Sequence, residues 1–325
     1  MRRRRRAAIL ATALALTGLW SAGLSANSSI AREIALGSYI PRVTEAPSNI
    51  DRYARLMGRQ PAIVHYYKQW DFSPFPRGEL RAIWNRGSVP MVTWEPQSYH
   101  GRSYTLRGIA QGSYDGYVRR AARAAAAWGR PLLLRFAHEM NGAWYPWGAG
   151  INGNTGRRYK VAWRRLVRIF RRAGANNVRW VWTPHANQFG HLPFEHFYPG
   201  DRWVDWVGLD GFNWGYGGSY YTFANIFERS YRALLRISDK PIMIAETGTY
   251  EHRNARWIAR AMERQLPLMR GIRAFVWFNN SANGVDVRFN SSRRALRTFR
   301  RAARKPRFGL TRDELPGIRR GGGQW

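Results

Sequence analysis

Two glutamates each follow a short apolar run. Glu139 comes shortly after the run Leu132–Phe136, and Glu246 comes directly after the run Ile242–Ala245. A carboxylate beside an apolar strand is partly desolvated, which is costly unless the group serves a purpose. Glycoside hydrolysis with retention of configuration needs two opposed carboxyl groups: a protonated one that gives its proton to the leaving oxygen, and an ionised one that attacks the anomeric carbon. The two glutamates are candidates for such a pair.

Aromatic side chains are concentrated in the same segments. The chain contains 16 Trp and 16 Tyr, and the flat face of an indole ring suits the apolar face of a sugar. Any single tryptophan could equally pack in the core, but five at the strand ends together favour a sugar-binding rim. These five are Trp144, Trp147, Trp182, Trp214 and Trp277.

The elements that must position these residues are eight short apolar runs rich in β-forming side chains. The intervals between them are wide enough for one helix and two loops, and the segments Tyr114–Trp128 and Tyr159–Arg172 have helical patterns. Near-continuous apolar strands alternating with helices predict a parallel sheet, and eight such units predict a single α/β domain, a (β/α)8 TIM barrel. An open doubly wound sheet is the alternative, although no glycine-rich turn follows the first run. The runs are Ala35–Ile40, Ala62–Tyr67, Val89–Trp94, Leu132–Phe136, Val178–Trp182, Val204–Leu209, Ile242–Ala245 and Ala274–Phe278.

In such a barrel, functional residues lie where the strands end. Glu139 follows the fourth run and Glu246 the seventh, so their side chains should face each other across the mouth of the barrel. Other residues at these strand ends are predicted to bind substrate. They are Trp94, Glu95, Asp210, Asn213 and Trp277. For Glu95 and Asp210 a second interpretation stays open, in which they are hydrogen-bond partners of other site residues.

Two of the strand ends resemble a known family. Residues 134–148 read LRFAHEMNGAWYPWG and residues 242–248 read IMIAETG. The first segment is similar to the acid/base signature of glycoside hydrolase family 26, which contains secreted β-mannanases, mixed-linkage β-glucanases and a few β-1,3-xylanases. The resemblance implies Glu139 as acid/base and Glu246 as nucleophile. It also implies that His138 and Trp144 contact sugar or orient the carboxyl groups.

The activity implied by the resemblance is that of a secreted, endo-acting, retaining hydrolase of β-1,4-mannan-type polysaccharide. A mixed-linkage β-1,3-1,4-glucanase is the alternative within the family. Neither activity requires a cofactor or a metal ion. His185, His191 and His196 match no usual spacing of zinc ligands.

One departure from the family pattern lies at the predicted sixth strand end. The family usually has a tyrosine two residues after an aspartate, and the tyrosine hydroxyl holds the nucleophile. Here the aspartate is Asp210, and Phe212 occupies the position of the tyrosine. Tyr216 and Tyr250 are candidates to supply the missing hydroxyl. Phe212 favours an alternative class, a non-catalytic polysaccharide-binding protein derived from the family, whereas the presence of both glutamates opposes it.

The first 26 residues have the three parts of a secretory signal. Met1–Arg6 is basic, Ala7–Trp20 is apolar but short for a membrane span, and Ser21–Ala26 is mostly small. We therefore predict a signal peptide at 1–26, a catalytic domain at 27–300, a basic C-terminal tail at 301–325, and a secreted or periplasmic location. Retention of the segment as an anchor is the alternative.

The composition restricts the class of partner. The chain carries 53 Lys and Arg against 20 Asp and Glu, a formal net charge of +33. The arginines are scattered, and export opposes a nucleic-acid partner, so we expect the basic surface to bind anionic cell-wall or exopolysaccharide material. The absence of cysteine excludes disulfide scaffolds, thiolate metal sites and cysteine nucleophiles.

Overall fold

Eight parallel strands form a closed barrel in the computed structural model, which describes residues 33–101, 104–186, 193–250, 254–282 and 284–318. Each strand pairs with the next in the sequence, and the first pairs with the last, which closes the sheet. The strands are β1 (Ala35–Tyr39), β2 (Ile63–Gln69), β3 (Val89–Glu95), β4 (Leu132–Phe136), β5 (Val178–Trp182), β6 (Trp206–Asn213), β7 (Ile242–Thr249) and β8 (Ile272–Phe278). The predicted (β/α)8 barrel is thus confirmed.

Helices occupy the intervals between the strands. Those described are α1 (Asn49–Met57), α2 (Arg77–Asn85), α3 (Leu106–Gln111), α4 (Asp115–Trp128), α5 (Gly156–Arg172), α6 (Phe223–Ile237), α7 (Asn254–Ala259) and α8 (Arg293–Ala303). A π-helical segment, Arg260–Gln265, follows α7, and a short hairpin of β9 (Ser281–Ala282) and β10 (Val285–Asp286) follows β8. None of the helices in these ranges has an apolar stretch long enough to cross a bilayer.

The helices pack on the barrel because each has one apolar face. In α5, Thr155 accepts a hydrogen bond from the backbone N–H of Arg158 and so begins the helix. Leu166 and Phe170, four residues apart, are buried against the sheet. The strands are buried on both sides, with all seven residues of β3 inside, as expected of a parallel sheet covered by helices.

β6 and β7 extend furthest beyond the apolar runs that predicted them. β6 continues to Asn213 and β7 to Thr249, so Asp210 and Glu246 lie within strands and not in the loops after them. The register of β6 against β7 shifts between Leu209 and Asp210, and that of β7 against β8 shifts between Ile244 and Thr247. Such irregularities re-aim side chains next to active sites. Here they occur beside both carboxylates.

In its described part, residues 301–318, the C-terminal segment predicted as a basic tail packs against the rest of the protein. α8 continues to Ala303, so the expected boundary at residue 300 falls inside a helix. Beyond it, Phe308, Leu315 and Ile318 are buried in the core. The prediction overlooked these apolar residues because the arginines around them dominate the composition. The predicted signal peptide at 1–26 lies outside the described residues.

Candidate active site

The turn after β4 carries Glu139 in an unusual backbone conformation. Ala137 and Glu139 both have positive φ, at 45° and 52°, a left-handed conformation that costs a non-glycine residue about 1–3 kcal/mol. Hydrogen bonds from neighbouring strands fix the turn: Ala137 N–H donates to the carbonyl of Trp94 (3.2 Å), and Glu139 N–H donates to that of Thr183 (2.8 Å). The barrel therefore holds Glu139 in a conformation that the turn by itself would not favour.

Trp144 orients the carboxyl group of Glu139. Its indole Nε1–H donates to Oε2 of Glu139 at 2.6 Å, while 45% of the Trp144 side chain is exposed. The ring lies directly over Gly142, where an added Cβ would come within 2.3 Å of the indole. Glycine at position 142 is thus a steric requirement of this arrangement.

Glu246 accepts hydrogen bonds from two strands. The hydroxyl of Tyr67, on β2, donates to Oε1 at 2.6 Å, and the guanidinium of Arg135, on β4, donates to the same oxygen. Both donors stabilise the ionised carboxylate that a nucleophile requires. The hydroxyl that the sequence analysis sought at Tyr216 or Tyr250 therefore comes from Tyr67, whereas Tyr216 lies at the rim and stacks on Trp214.

Arg135 is the centre of a polar layer inside the barrel. Its Nη1 donates to both carboxylate oxygens of Asp210, at 2.9 and 2.7 Å, and its Nε donates to Oγ1 of Thr93 at 2.8 Å. His65 lies 2.7 Å from the same Thr93 hydroxyl. A buried guanidinium is stable only when its donors are paired. Asp210 therefore positions Arg135, which in turn contacts Glu246.

The two glutamates have environments suited to different tasks. Burial, and secondarily the charge of Glu246, raises the pKa of Glu139 to about 8, so Glu139 is mostly protonated at neutral pH. Burial and the nearby charge of Arg135 lower the pKa values of His65 and His138, which keeps both imidazoles neutral. A carboxyl group that stays protonated, close to a second one held by hydrogen bonds from a tyrosine and an arginine, suits the acid and the nucleophile of a glycosidase.

Glu95, at the end of β3, belongs to the same electrostatic environment. Burial raises its pKa to about 7, and the charges of Arg135 and Glu246 also act on it. Gln97 and Gln69 are hydrogen-bond partners of its carboxylate. Its contact with substrate remains a prediction.

Several residues predicted to bind substrate are enclosed by protein. Trp94 and Trp277 are fully buried; Trp94 packs against Trp70 and Phe136, and Trp277 donates to the carbonyl of Val287. For these two residues the core-packing interpretation is correct, and the prediction of a sugar contact is wrong. Trp147 and Trp182 are also buried. An apolar run at a strand end does not by itself distinguish a rim tryptophan from a core tryptophan.

Two polar residues predicted to bind substrate, Asp210 and Asn213, are also enclosed by protein. Asp210 is fully buried on Arg135, so it is a hydrogen-bond partner within the site and does not contact sugar. Asn213 is fully buried as well; its amide donates to Thr249, and its carbonyl oxygen accepts from the backbone N–H of Tyr221. Asn213 therefore fixes the loop after β6.

His138 lies beneath the cleft and not at its surface. The ring is 1% exposed, lies 3.0 Å from the hydroxyl of Tyr145, and packs against Tyr67 and Trp147. Of the two roles implied for His138, this position supports the orientation of neighbouring groups.

The exposed aromatic rings lie around the mouth. In the described part of the chain, every aromatic residue with a largely exposed side chain belongs to a loop after β2, β3, β4 or β6. These residues are Phe72, Tyr99, Trp144, Tyr216 and Tyr221. Half-buried Trp214 stacks on Phe212 at 4.5 Å and on Tyr216 at 6.1 Å, and Tyr39 stacks on Phe278 at 5.0 Å. Rings on several loops form a surface that suits an extended saccharide.

Sequence reasoning missed Tyr67 and Arg135, although both left a signal. Side chains of a strand alternate between its two faces, so Tyr67 shares the inner face with His65. Arg135 is the single charged residue in the run LLLRF of β4, and a charge in a buried strand requires a partner.

The fold and the site together define a class of protein: a (β/α)8 barrel with two buried glutamates, Glu139 and Glu246, toward the C-terminal ends of strands β4 and β7. The model of glycosyl hydrolase family 26 matches residues 118–282, about half of the chain. The protein belongs to this family.

Curated relatives carry the names of polysaccharide hydrolases. Endoglucanase H of Acetivibrio thermocellus is 38% identical over 266 residues, which are 78% of this chain and 29% of that protein. Mannan endo-1,4-beta-mannosidase A and B of Caldalkalibacillus mannanilyticus is 34% identical over 231 residues, 60% of this chain and 42% of that protein. The chain thus spans less than half the length of these two relatives.

Solved structures share the fold. The catalytic domain of a Bacillus sp. JAMB-750 GH26 endo-beta-1,4-mannanase superposes with a TM-score of 0.67 at 18% identity, covering 88% of this chain and 89% of that one. A modular endo-beta-1,4-mannanase from Cellulomonas fimi gives a TM-score of 0.68 at 20% identity, with coverage of 89% and 74%.

Proposed function

We propose that the protein is a retaining, endo-acting β-glycanase in which Glu139 is the acid/base and Glu246 the nucleophile. The observation that carries this proposal is the asymmetry of the pair. Glu139 has a pKa of about 8, while Glu246 accepts hydrogen bonds from Tyr67 and Arg135. From this difference in environment we infer that Glu139 is the acid and Glu246 the nucleophile.

The mechanism has two displacements. In the first, an oxygen of Glu246 attacks the anomeric carbon while Glu139 gives its proton to the glycosidic oxygen, so the leaving chain departs as an alcohol and a glycosyl ester remains. In the second, ionised Glu139 removes a proton from water, which attacks the same carbon and releases Glu246. Tyr67 and Arg135 keep the attacking oxygen in place and stabilise it again as a leaving group.

Endo action is supported by the shape of the mouth. The exposed aromatic rings lie on loops after four different strands, so sugar rings on both sides of the cleavage point have a surface to contact. A cleft with such an extended surface suits an internal segment of a polysaccharide.

A β-1,4-mannan is the first candidate substrate. Three relatives whose names include mannan endo-1,4-beta-mannosidase align over 42% to 55% of their own length, so the aligned region is a large part of these three proteins. A mixed-linkage β-glucan is the second candidate, because Endoglucanase H aligns over more of this chain at higher identity. Its aligned region is 29% of that protein, so its name is weaker support for this region.

A reducing-sugar assay tests the proposal. The substrates are galactomannan, glucomannan, barley β-glucan and β-1,3-xylan, and Glu246→Ala is the matched inactive variant. Sugar release by the wild-type protein and none by the variant supports the glycanase and identifies its substrate. A folded protein that binds these polysaccharides without cleaving any of them would instead support the non-catalytic class.

The roles of the two glutamates are tested separately. Glu139→Ala should retain the first step on an aryl glycoside with a very good leaving group, because such a group departs without protonation. Glu246→Ala should be inactive on every substrate. Equal losses from both variants on the activated substrate would contradict the assignment.

We also propose that the protein is exported by the signal-like segment at 1–26, which would bring it to polysaccharides outside the cytoplasm. Mass spectrometry of the N-terminus of the secreted protein tests this, with cleavage after Ala26 as the expected result. An anionic polymer remains a proposed second partner.

A further inference from the structure

A groove rich in arginine lies on the outer wall of the barrel, between α4 and α5. Its volume is about 450 Å³, and none of its lining residues belongs to the loops that carry the candidate active site. The charged residues that line it are Asp115, Arg119, Arg123, Arg165, Arg168 and Arg172.

The charges in this groove are unbalanced. Asp115 is the single acidic residue among the lining groups, and Arg165 already binds it with two hydrogen bonds of 2.7 Å, while Arg119 lies 3.4 Å from it. Arg123, Arg168 and Arg172 are exposed, and no carboxylate of the described residues forms an ion pair with them. Three guanidinium groups are therefore available to a ligand.

Helix electrostatics account for only part of this pattern. α5 has eight basic residues and no acidic one. Arg172 lies in its last turn, where the helix dipole favours a cation. Arg165 and Arg168 lie further from that end, and Arg119 and Arg123 lie on another helix. Like charges within about 10 Å of one another repel at moderate ionic strength, so an anion in the groove would relieve this repulsion.

The pair of Arg165 and Asp115 shows that a guanidinium group in this groove holds a carboxylate. Two parallel N–H···O bonds to one carboxylate are the fork geometry that guanidinium groups form with carboxylates. Arg168 is held in position over the ring of Trp203, 5.7 Å from its centroid. Of the three unpaired arginines, Arg168 and Arg172 follow one face of α5 about 6 Å apart along its axis, a spacing comparable to the length of a sugar ring.

We propose that this groove binds a polysaccharide that bears a carboxylate on its sugar rings, that is, a chain of uronic acid residues. The carboxylates would contact Arg123, Arg168 and Arg172, and the chain would follow α5. This site is separate from the cleft and does not depend on glycosidase activity. It would keep the protein on acidic material while the cleft remains open to a neutral chain.

The test compares two triple variants of the full chain that lose the same charge. The groove variant is Arg123→Gln, Arg168→Gln and Arg172→Gln. The control variant is Arg229→Gln, Arg236→Gln and Arg297→Gln, three exposed arginines on α6 and α8. Arg119 and Arg165 are kept because they bind Asp115. Fluorescence anisotropy with labelled oligogalacturonate measures the Kd at low and at physiological salt.

We expect the groove variant to weaken oligogalacturonate binding about tenfold or more and to reduce its salt dependence, because three exposed charge pairs are lost. The control variant should change the Kd less than about threefold.

Equal weakening by both variants would overturn the proposal in favour of a diffuse surface charge. Groove-dependent binding of polyphosphate or double-stranded DNA that is tighter than that of oligogalacturonate would overturn the assignment of the ligand. Hydrolysis of neutral polysaccharide, measured in parallel, should be equal in the two variants and the wild type, so failure of the groove and failure of the glycanase are distinguishable.

Discussion

Replacement of Trp144 by phenylalanine should move the basic limb of the pH–rate profile to higher pH. The indole Nε1–H donates to Glu139 at 2.6 Å and thereby stabilises the ionised form of that carboxyl group, which lowers its pKa. Without this donor the ionised form is less stable, so Glu139 stays protonated to higher pH. Since the acid must be protonated in the first step, activity should persist further into the alkaline range.

The size of the effect follows from the hydrogen bond and its exposure. A hydrogen bond to a charged group contributes about 1.5–3 kcal/mol, and one pH unit corresponds to about 1.4 kcal/mol. This gives about one to two pH units for an enclosed bond. Because 45% of the Trp144 side chain is exposed, water replaces part of the lost bond, and we expect about half to one pH unit. The basic midpoint should thus rise from about 8 toward about 9.

The assay is the pH dependence of kcat/KM, which reports the free enzyme. Trp214→Phe is the matched control, because Trp214 is also a tryptophan of the mouth but stacks on Phe212 and Tyr216; it should leave the midpoint unchanged. Glu95→Gln should also leave it unchanged, which separates Glu139 from a nearby carboxyl group whose pKa is also raised. A basic limb in Trp144→Phe that stays at the wild-type pH, or moves lower, would refute the reasoning.

Four further changes have defined outcomes. Tyr67→Phe should lower kcat/KM about 10- to 100-fold through loss of the hydroxyl on Glu246, and recovery on addition of Phe212→Tyr would show that a hydroxyl from β6 can replace it. Asp210→Asn should destabilise the protein by about 3–5 kcal/mol in denaturant unfolding, because Arg135 loses a buried partner; a loss below about 1 kcal/mol would contradict this role. Gly142→Ala should displace Trp144 and reduce kcat/KM with little change in Tm, whereas Gly78→Ala, where a Cβ meets nothing within 4 Å, should leave activity unchanged. Finally, because the pKa of Glu139 is raised in the folded protein, the free energy of unfolding of the wild type should fall as pH rises from about 4.5 through about 8. Urea unfolding of Glu139→Gln should lack this part of the fall. Curves of stability against pH that run parallel for the wild type and the variant would argue against the burial of the Glu139 charge.

The sequence by itself determined the barrel and the position of its two glutamates. Eight apolar runs with helix-sized intervals leave few other folds, because a strand that is buried on both faces needs helices on both sides or a closed sheet. The order of strands in a barrel follows the order of the chain. Glu139 and Glu246 could therefore be assigned to the fourth and seventh strands without coordinates.

Only the tertiary structure decided which side chains reach the carboxylates. The hydroxyl on Glu246 comes from Tyr67, 179 residues away in the chain, and its place depends on how β2 and β7 are staggered when the barrel closes. The shifts of register beside Asp210 and Glu246 add to this. No local pattern encodes such a stagger, because it results from packing of the whole sheet.

Tertiary contacts also decided which side chains at the strand ends are buried. Trp94 and Trp144 are both tryptophans at strand ends, yet Trp94 is enclosed by Trp70 and Phe136 while Trp144 is half exposed. The difference lies in which loops and helices cover each strand end. The chemical type of a residue and its strand can be read from the sequence, whereas its solvent exposure and its partners depend on contacts between segments that are distant in the chain.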